Sequence, residues 1–351
     1  MYIDTHVHLR DFNQAHKETI KHGLEVARDS GLDAIFDMPN TDPPILNRDV
    51  VLERLAKAKD ADVPEVFYGL YMGLTKDMEQ VKRAVALTQE FSQVIGMKLY
   101  AGHSVGQLGV IHTEDQEKIY QTLVSQGYKG VLVIHAEKEE EIRSNLWNHS
   151  HPISHCYARS EHAETASIAD QLKFAWQSEF SGTQHIAHIS TPKGVELVSK
   201  AKEKGMKVTC GICPHHFIYD WTKMETEDGL LWKMNPPLRS PKSREQMLNY
   251  LKAGKIDWIE TDHAPHTLKD KLEHPFMSGI PGLAWWPLFE EYLRRENCSD
   301  KLIEDITFGN IQKTFGLDID KKKRSLKDRR QEYPFNPYTP IEKILEWNKS
   351  K

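Results

Sequence analysis

The chain has 351 residues, 39% of them hydrophobic, and this length suits one large barrel as well as two smaller domains; we expect one domain. Its 46 Lys and Arg against 51 Asp and Glu give a net charge of -5, which excludes a broadly basic surface for nucleic acid or an anionic membrane. No apolar run approaches the roughly 20 residues that span a bilayer, no export signal opens the chain, and four cysteines are too few for a disulfide scaffold. We therefore expect a cytoplasmic protein with reduced thiols that acts on a small molecule.

Short apolar runs alternate along the chain with longer stretches of helical periodicity, which is typical of repeated strand-then-helix units. In chain order we predict strands at residues 2–8, 33–38, 65–71, 95–100, 131–135, 185–189, 207–211 and 258–261. Helices are predicted at 16–30, 48–59, 78–90, 115–126, 163–176, 192–204 and 243–253, and Gly31, Gly127 and Gly205 are expected to end three of them in the left-handed conformation. Eight such strands predict an α/β fold, a TIM-type (β/α)8 barrel.

The sequence changes character after about Leu317. A basic run from Lys321 through Lys323 to Arg324 is followed by three prolines. We therefore predict a barrel over residues 1–317 and a basic, proline-containing extension over 318–351, outside the barrel core. A charged block of this kind is usually an exposed segment, and docking onto an acidic partner is the alternative.

Polar residues close several of the predicted strands, where a parallel barrel places its catalytic groups. His6 and His8 project to the same side of the first strand because side chains alternate along a strand. Two imidazoles on one face suit a metal, although such a pair is a weak signal alone. His135, His188 and Asp262 close the fifth, sixth and eighth strands, so the same rim collects four histidines and a carboxylate.

Lys98 lies in the fourth strand, where an unpaired ammonium is costly to bury. Its side chain either reaches the mouth of the barrel or has reacted with carbon dioxide to give an anionic carbamate that can bridge two metal ions. Nitrogen and carboxylate ligands without a thiolate suit zinc held with an open position.

Seven ordered motifs add to these residues: DTHVHLR at 4–10, DMPNT at 37–41, GMKLY at 96–100, HAE at 135–137, AHIST at 187–191, NPPLR at 235–239 and DHAPH at 262–266. On these motifs, the chain from residue 3 to about 317 resembles the dihydroorotases of the amidohydrolase superfamily. The resemblance implies two Zn2+ ions per chain, bridged by carbamylated Lys98 and held by the residues that match His6, His8, Lys98, His135, His188 and Asp262.

The resemblance also implies the reaction, which is the reversible cyclisation of N-carbamoyl-L-aspartate to L-dihydroorotate in de novo pyrimidine (UMP) biosynthesis. A metal-bridging hydroxide would be the nucleophile and Asp262 the general acid and base. Arg10, Asn40 and His266 match residues that bind the substrate carboxylate, and the planar fork of donors on arginine suits that ligand. Asn235 lies in a segment that resembles a further substrate-contacting loop.

Two other functions compete with this interpretation. A hydantoinase or allantoinase would share the metal ligands, but a neutral hydantoin offers Arg10 and Asn40 no carboxylate. An inactive scaffold partner of a transcarbamoylase is the second alternative. We expect a barrel that lacks most of the accessory β-sandwich carried by many relatives. We therefore also expect a homo-oligomer or a pyrimidine-pathway enzyme partner to cover the barrel.

Cys210 and Cys213 form a Cys-x-x-Cys pair, but we do not expect a separate zinc site there, since a second such pair is missing from the sequence. A redox role is not expected either, because a reactive pair normally opens a helix that lowers the pKa of one thiol.

Overall fold

Eight parallel strands form one sheet in the computed structural model, which describes residues 1–104, 108–322 and 324–345, and each strand pairs with its neighbour in sequence. The strands are β1 (Tyr2–Val7), β2 (Leu32–Asp37), β3 (Phe67–Gly73), β4 (Val94–Tyr100), β5 (Val131–His135), β6 (Thr183–Ile186), β7 (Val208–Ile212) and β8 (Trp258–Ile259). A parallel bridge between Val7 and His263 brings the last strand back to the first. The predicted TIM-type barrel is therefore confirmed.

Helices follow the strands around the outside of the barrel. The α-helices of the described residues are α1 (Ile20–Asp29), α2 (Arg48–Asp60), α3 (Met78–Glu90), α4 (Thr113–Ser125), α5 (Ser154–Ala158), α6 (Glu161–Gln177), α7 (Pro192–Glu203), α8 (Pro214–Ile218), α9 (Pro241–Lys252), α10 (Leu268–Leu272), α11 (Trp286–Arg295), α12 (Asp300–Glu304), α13 (Asn310–Phe315) and α14 (Thr339–Ile344). One π-helical turn, Asp305–Gly309, joins α12 to α13. None of the described helices combines the length and apolar character needed to cross a membrane.

The predicted helices all occur: α3 has the predicted ends, and the others differ from the prediction at one or both ends. Helix α1 begins at Ile20 rather than at residue 16, because the Thr19 side chain accepts a hydrogen bond from the His22 N–H and caps the helix. Gly31, Gly127 and Gly205 have φ values of 85°, 67° and 84°, as expected of residues that end a helix.

Four strands end earlier than predicted: β1 and β2 by one residue, β6 by three and β8 by two. Strand β6 stops at Ile186 and β8 at Ile259, so His188 and Asp262 lie just beyond the strands rather than at their last positions. Both residues have positive φ, 41° and 48°, which turns the backbone out of the extended conformation.

A hydrophobic cluster fills the barrel toward the amino-terminal ends of the strands. Phe36, Tyr71 and Trp258 are fully buried, and the Phe315 ring packs edge-on against Phe36 with ring centroids 5.0 Å apart. Because these side chains close that end of the barrel, the interior opens at the carboxyl-terminal rim.

Part of the C-terminal extension packs on the barrel. Arg324 donates hydrogen bonds to the Leu32 carbonyl, to Asp33 Oδ1 at 2.7 Å and to the Glu65 carbonyl at 2.7 Å. Tyr338 is fully buried, whereas Lys321 stays exposed. Lys323 and residues 346–351 of the predicted extension lie outside the described residues, and the boundary at 317 stays a prediction.

Candidate metal centre

Three of the predicted ligands meet at the junction of β1 and β8. His6 Nε2 lies 3.3 Å and His8 Nε2 2.9 Å from Asp262 Oδ1. One ligand atom from each residue falls within 4.8 Å of the others, and all three residues are buried. This arrangement of two imidazoles and a carboxylate oxygen can hold a metal ion.

The other two histidines complete a continuous group. His135 Nδ1 lies 3.1 Å from His188 Nε2, and the His188 ring centroid lies 5.0 Å from that of His6. Burial lowers the pKa values of His6, His8, His135 and His188, so all four rings are neutral. The neutral imidazole is the form that ligates metals.

Lys98 lies within strand β4 rather than at its end, and its side chain is fully buried. Its Nζ has no hydrogen-bond partner among the described residues. Burial lowers the pKa of the Lys98 ammonium to about 8, while the carboxylates of Glu260 and Asp262 oppose that shift. Burial likewise raises the pKa of Asp262 to about 7, against the attraction of Lys98.

Neighbouring polar groups orient two of the histidines. Asn40 Oδ1 lies 2.7 Å from His8 Nδ1, which fixes the ring with its Nε2 toward Asp262. His135 Nε2 lies 3.1 Å from Glu137 Oε2, and Glu137 also pairs with Arg159. Asn40, predicted to bind substrate, therefore also contacts a candidate metal ligand.

A small pocket opens above these residues. Three of the predicted substrate-binding residues line it: Arg10, Asn40 and Asn235. The candidate ligands that line it are His6, His8, His135, His188 and Asp262. The remaining lining residues are Tyr100, Ser104, Ala264, Ser278 and Gly279.

Arg10 supplies the positive charge of this pocket. Its side chain is 1% exposed, and within the described residues neither Nε nor Nη1 has a hydrogen-bond partner. Nη2 lies 3.3 Å from His266 Nε2, which itself lies 3.0 Å from the Ser278 carbonyl. Two buried donor nitrogens, Nε and Nη1, are thus left for a ligand.

Asn235 also borders the pocket. Its Oδ1 lies 2.9 Å from His155 Nε2 and accepts a hydrogen bond from the Ser278 hydroxyl at 3.3 Å. His155, on the short helix α5, was not predicted from the sequence, because nothing in its local pattern separates it from a surface histidine.

Tyr100 and Glu260 are two further residues that the sequence did not single out. The Tyr100 hydroxyl is buried at the pocket without a partner among the described residues, and Glu260 is 0% exposed below the histidines. A charged residue immediately after the apolar pair of β8 was the available signal for Glu260.

A separate group lies beside β7. Cys213, His215 and His216 are buried, and one ligand atom from each falls within 4.8 Å of the others. Cys210 is not a member, so the Cys-x-x-Cys pair itself does not form this group. His216 Nε2 lies 3.1 Å from the Pro236 carbonyl, next to the segment that carries Asn235.

Comparison with known proteins gives the chain's family. A dihydroorotase of Aquifex aeolicus is 34% identical over 338 residues, covering 91% of this chain and 73% of the relative. One of Halobacterium salinarum is 30% identical over 319 residues, covering 90% of this chain and 71% of the relative. The chain belongs to the dihydroorotase family. A dihydroorotase of Listeria welshimeri is 36% identical, and the chain spans 61% of its length. No family model matches the chain.

Solved structures of this fold agree with the barrel. The L-hydantoinase of Arthrobacter aurescens has a TM-score of 0.80 at 22% identity, covering 93% of this chain and 74% of its own. The dihydroorotase of Saccharomyces cerevisiae, in complex with 5-fluoroorotic acid, has a TM-score of 0.73 at 17% identity, covering 91% and 84%. These two similarities show the fold, while the sequence relatives confirm the predicted family and its enzyme class.

Proposed function

We propose that the chain is a zinc-dependent dihydroorotase that interconverts N-carbamoyl-L-aspartate and L-dihydroorotate in pyrimidine biosynthesis. The observation that carries this proposal is the buried Arg10 guanidinium, which lines the same pocket as His6, His8 and Asp262 and has two donor nitrogens without a partner among the described residues. A metal centre next to a carboxylate-binding cation suits a cyclic amide that carries a carboxylate.

The described residues fit two zinc ions. His188 Nδ1 and Lys98 Nζ are buried without hydrogen-bond partners among the described residues, and the neutral imidazole nitrogens of His135 and His188 face each other. Such a set is costly unless something binds it. We assign His6, His8, His135, His188 and Asp262 as ligands, together with Lys98 as a carbamate. Bound zinc supplies an activated water at neutral pH and polarises the carbonyl of the substrate.

Carbamylation of Lys98 explains how that side chain is tolerated. A neutral amine adds to carbon dioxide and loses a proton, and burial favours the neutral amine of Lys98. The product is an anion, which attracts metal ions where an ammonium would repel them.

The residues of the pocket have separate roles in binding the substrate and in transferring the proton. Arg10, with Asn40 and His266, holds the substrate carboxylate, and Asn235, which also lines the pocket, contacts the substrate. Asp262 accepts a proton from the attacking water and delivers it to the ring nitrogen as the amide bond breaks. In the synthetic direction Asp262 removes a proton from the ureido nitrogen as that nitrogen attacks the carboxylate carbon. As the carbon–oxygen bond breaks, Asp262 returns the proton to the departing oxygen, which leaves as water with a second proton from solvent.

The test is ultraviolet-monitored turnover of L-dihydroorotate by the wild type and by Lys98→Ala, with zinc counted by elemental analysis. We expect about two zincs per wild-type chain, with both turnover and zinc lost in Lys98→Ala. Lys202→Ala is the control, because Lys202 pairs with Asp257 and does not line the pocket. Zinc without dihydroorotate turnover would contradict the proposal; hydantoins and allantoin should then be assayed.

We further propose a cytoplasmic location and a covered outer surface, through self-association or a pathway partner. The supporting observation is Trp176, which is 60% exposed beside a largely apolar groove between α6 and α7. Light scattering on the wild type and Trp176→Ala tests this, and a monomer at high concentration would contradict self-association.

A further inference from the structure

A fully buried carboxylate, that of Glu260, lies beneath the candidate metal centre and has no part in the proposed reaction. Its Oε1 accepts a hydrogen bond from the His188 backbone N–H at 2.5 Å and lies 3.9 Å from His6 Nδ1. One oxygen therefore contacts the backbone of one candidate ligand and faces the ring of another. We propose that Glu260 is a positioning residue that holds the His188 backbone for metal binding next to the His6 ring, an inference that rests on the metal centre of the proposed function.

The second oxygen of Glu260 is surrounded by donors. Oε2 accepts from the Thr5 hydroxyl at 2.7 Å and from Trp258 Nε1 at 3.3 Å, and it lies 3.1 Å from His185 Nε2. The Thr5 oxygen itself accepts from Trp258 Nε1 at 2.9 Å, so its proton is directed to Glu260. A carboxylate only accepts hydrogen bonds, whereas an amide would direct its NH2 group against one of these donor sets. The surroundings therefore require glutamate rather than glutamine.

His188 needs support at its backbone. Its φ of 41° lies in the left-handed region, which a residue with a side chain seldom adopts. From that conformation its ring contacts those of His135 and His6, with centroids 4.8 Å and 5.0 Å away. Because the Glu260 bond ends on the His188 N–H, moving this carboxylate displaces a ring that touches two other candidate ligands.

Glycine on the neighbouring strand makes room for Glu260. A Cβ atom at Gly211, on β7, would lie 2.6 Å from Glu260 Cδ and 2.7 Å from its Oε1. Glycine is not needed there for a positive φ, since Gly211 is not among the residues with one. The carboxylate of Glu260 thus occupies the volume that a side chain at 211 would enter, and an aspartate at 211 could supply a carboxylate there if Glu260 were alanine.

The first experiment measures how fast zinc leaves the protein. Wild type and Glu260→Gln are loaded with zinc and bicarbonate, and zinc loss to excess EDTA is followed well below the melting temperature. Mutating a residue that orients a metal ligand typically lowers metal affinity by about 10- to 100-fold. We therefore expect zinc to leave Glu260→Gln about 10- to 100-fold faster than it leaves the wild type. Glu342→Gln is the control, because Glu342 is a buried acceptor for Trp285 Nε1 and Asn336 Nδ2 in the C-terminal extension.

Two further variants keep the test decisive if Glu260→Gln does not fold. In Gly211→Ala the added methyl group pushes the Glu260 carboxylate aside, so this variant should also release zinc faster. In Gly211→Asp with Glu260→Ala, the relocated carboxylate should restore retention relative to Glu260→Ala alone. Native zinc retention in folded Glu260→Gln or Gly211→Ala overturns the proposal, as does a wild type that retains no zinc. Because zinc retention is measured without substrate, its result can be interpreted even if the protein does not turn over dihydroorotate.

Discussion

Replacing Arg10 with methionine tests the assignment of the substrate carboxylate site. Methionine keeps an apolar stem in the buried position but removes both N–H donors that lack partners, at Nε and Nη1. A substrate carboxylate bound there makes two charge-assisted hydrogen bonds, each about 1.5–3 kcal/mol. Leaving the carboxylate buried and unpaired should cost about 3–5 kcal/mol of binding. At about 1.4 kcal/mol per factor of ten, kcat/KM should fall by about 100- to 5,000-fold.

The assay is steady-state hydrolysis of L-dihydroorotate, together with calorimetric binding of orotate, a planar ring with the same carboxylate. Arg10→Lys is the matched variant, because it keeps the charge and loses the fork, and it should lie between wild type and Arg10→Met. Zinc content should stay the same in all three proteins. The reasoning is refuted if orotate binds Arg10→Met as tightly as wild type, or if the loss of activity follows a loss of zinc.

Three predictions concern the fold. Phe36→Ala should lower the free energy of unfolding by about 3–5 kcal/mol in a denaturant titration, because Phe36 is fully buried; exposed Leu52→Ala is its control, and equal effects would contradict the role of Phe36. Arg324→Ala removes the hydrogen bond to Asp33, so it should lower the free energy of unfolding by about 2–3 kcal/mol and speed protease cleavage after residue 317. An unchanged cleavage rate would argue against the anchoring role of Arg324. The hydrogen bond to Glu18 raises the pKa of His22 to about 9 from 6.5, so the stabilisation is complete below pH 6.5 and lost as the pH rises through 9. His22→Gln should therefore show a smaller fall in melting temperature than wild type between pH 6 and 10, and parallel curves would exclude this linkage.

The barrel and many of the site residues could be predicted because they follow local periodicity. His6 and His8 share a side of β1 since strand side chains alternate, and His135 ends β5 as predicted. The environment of Glu260 could not be predicted in this way. It depends on a glycine 49 positions earlier that lies beside it only once β7 and β8 pair.

The pattern of charges likewise predicted only part of the structure of the C-terminal extension. A basic run indicates solvent exposure, and Lys321 is exposed, but the Arg324 side chain is 9% exposed. Its partners are the Leu32 and Glu65 carbonyls and Asp33, all more than 250 residues earlier in the chain. Local sequence carries no signal for such a contact, because backbone carbonyls are the same at every residue.

The strand ends show why the site is more irregular than the barrel that carries it. Of the described residues other than glycine, nine have a positive φ, and Arg10, His188 and Asp262 are among them. A regular strand directs side chains only to its two faces, whereas the candidate ligands and the cation must converge on one pocket. Turning the backbone at these three positions achieves that convergence, at a cost that the surrounding contacts must offset. For His188 the contact is the Glu260 carboxylate, and for Asp262 it is the pair of imidazoles of His6 and His8. The sequence motifs therefore identify which residues form the site, while residues outside those motifs determine whether the strained conformation is held.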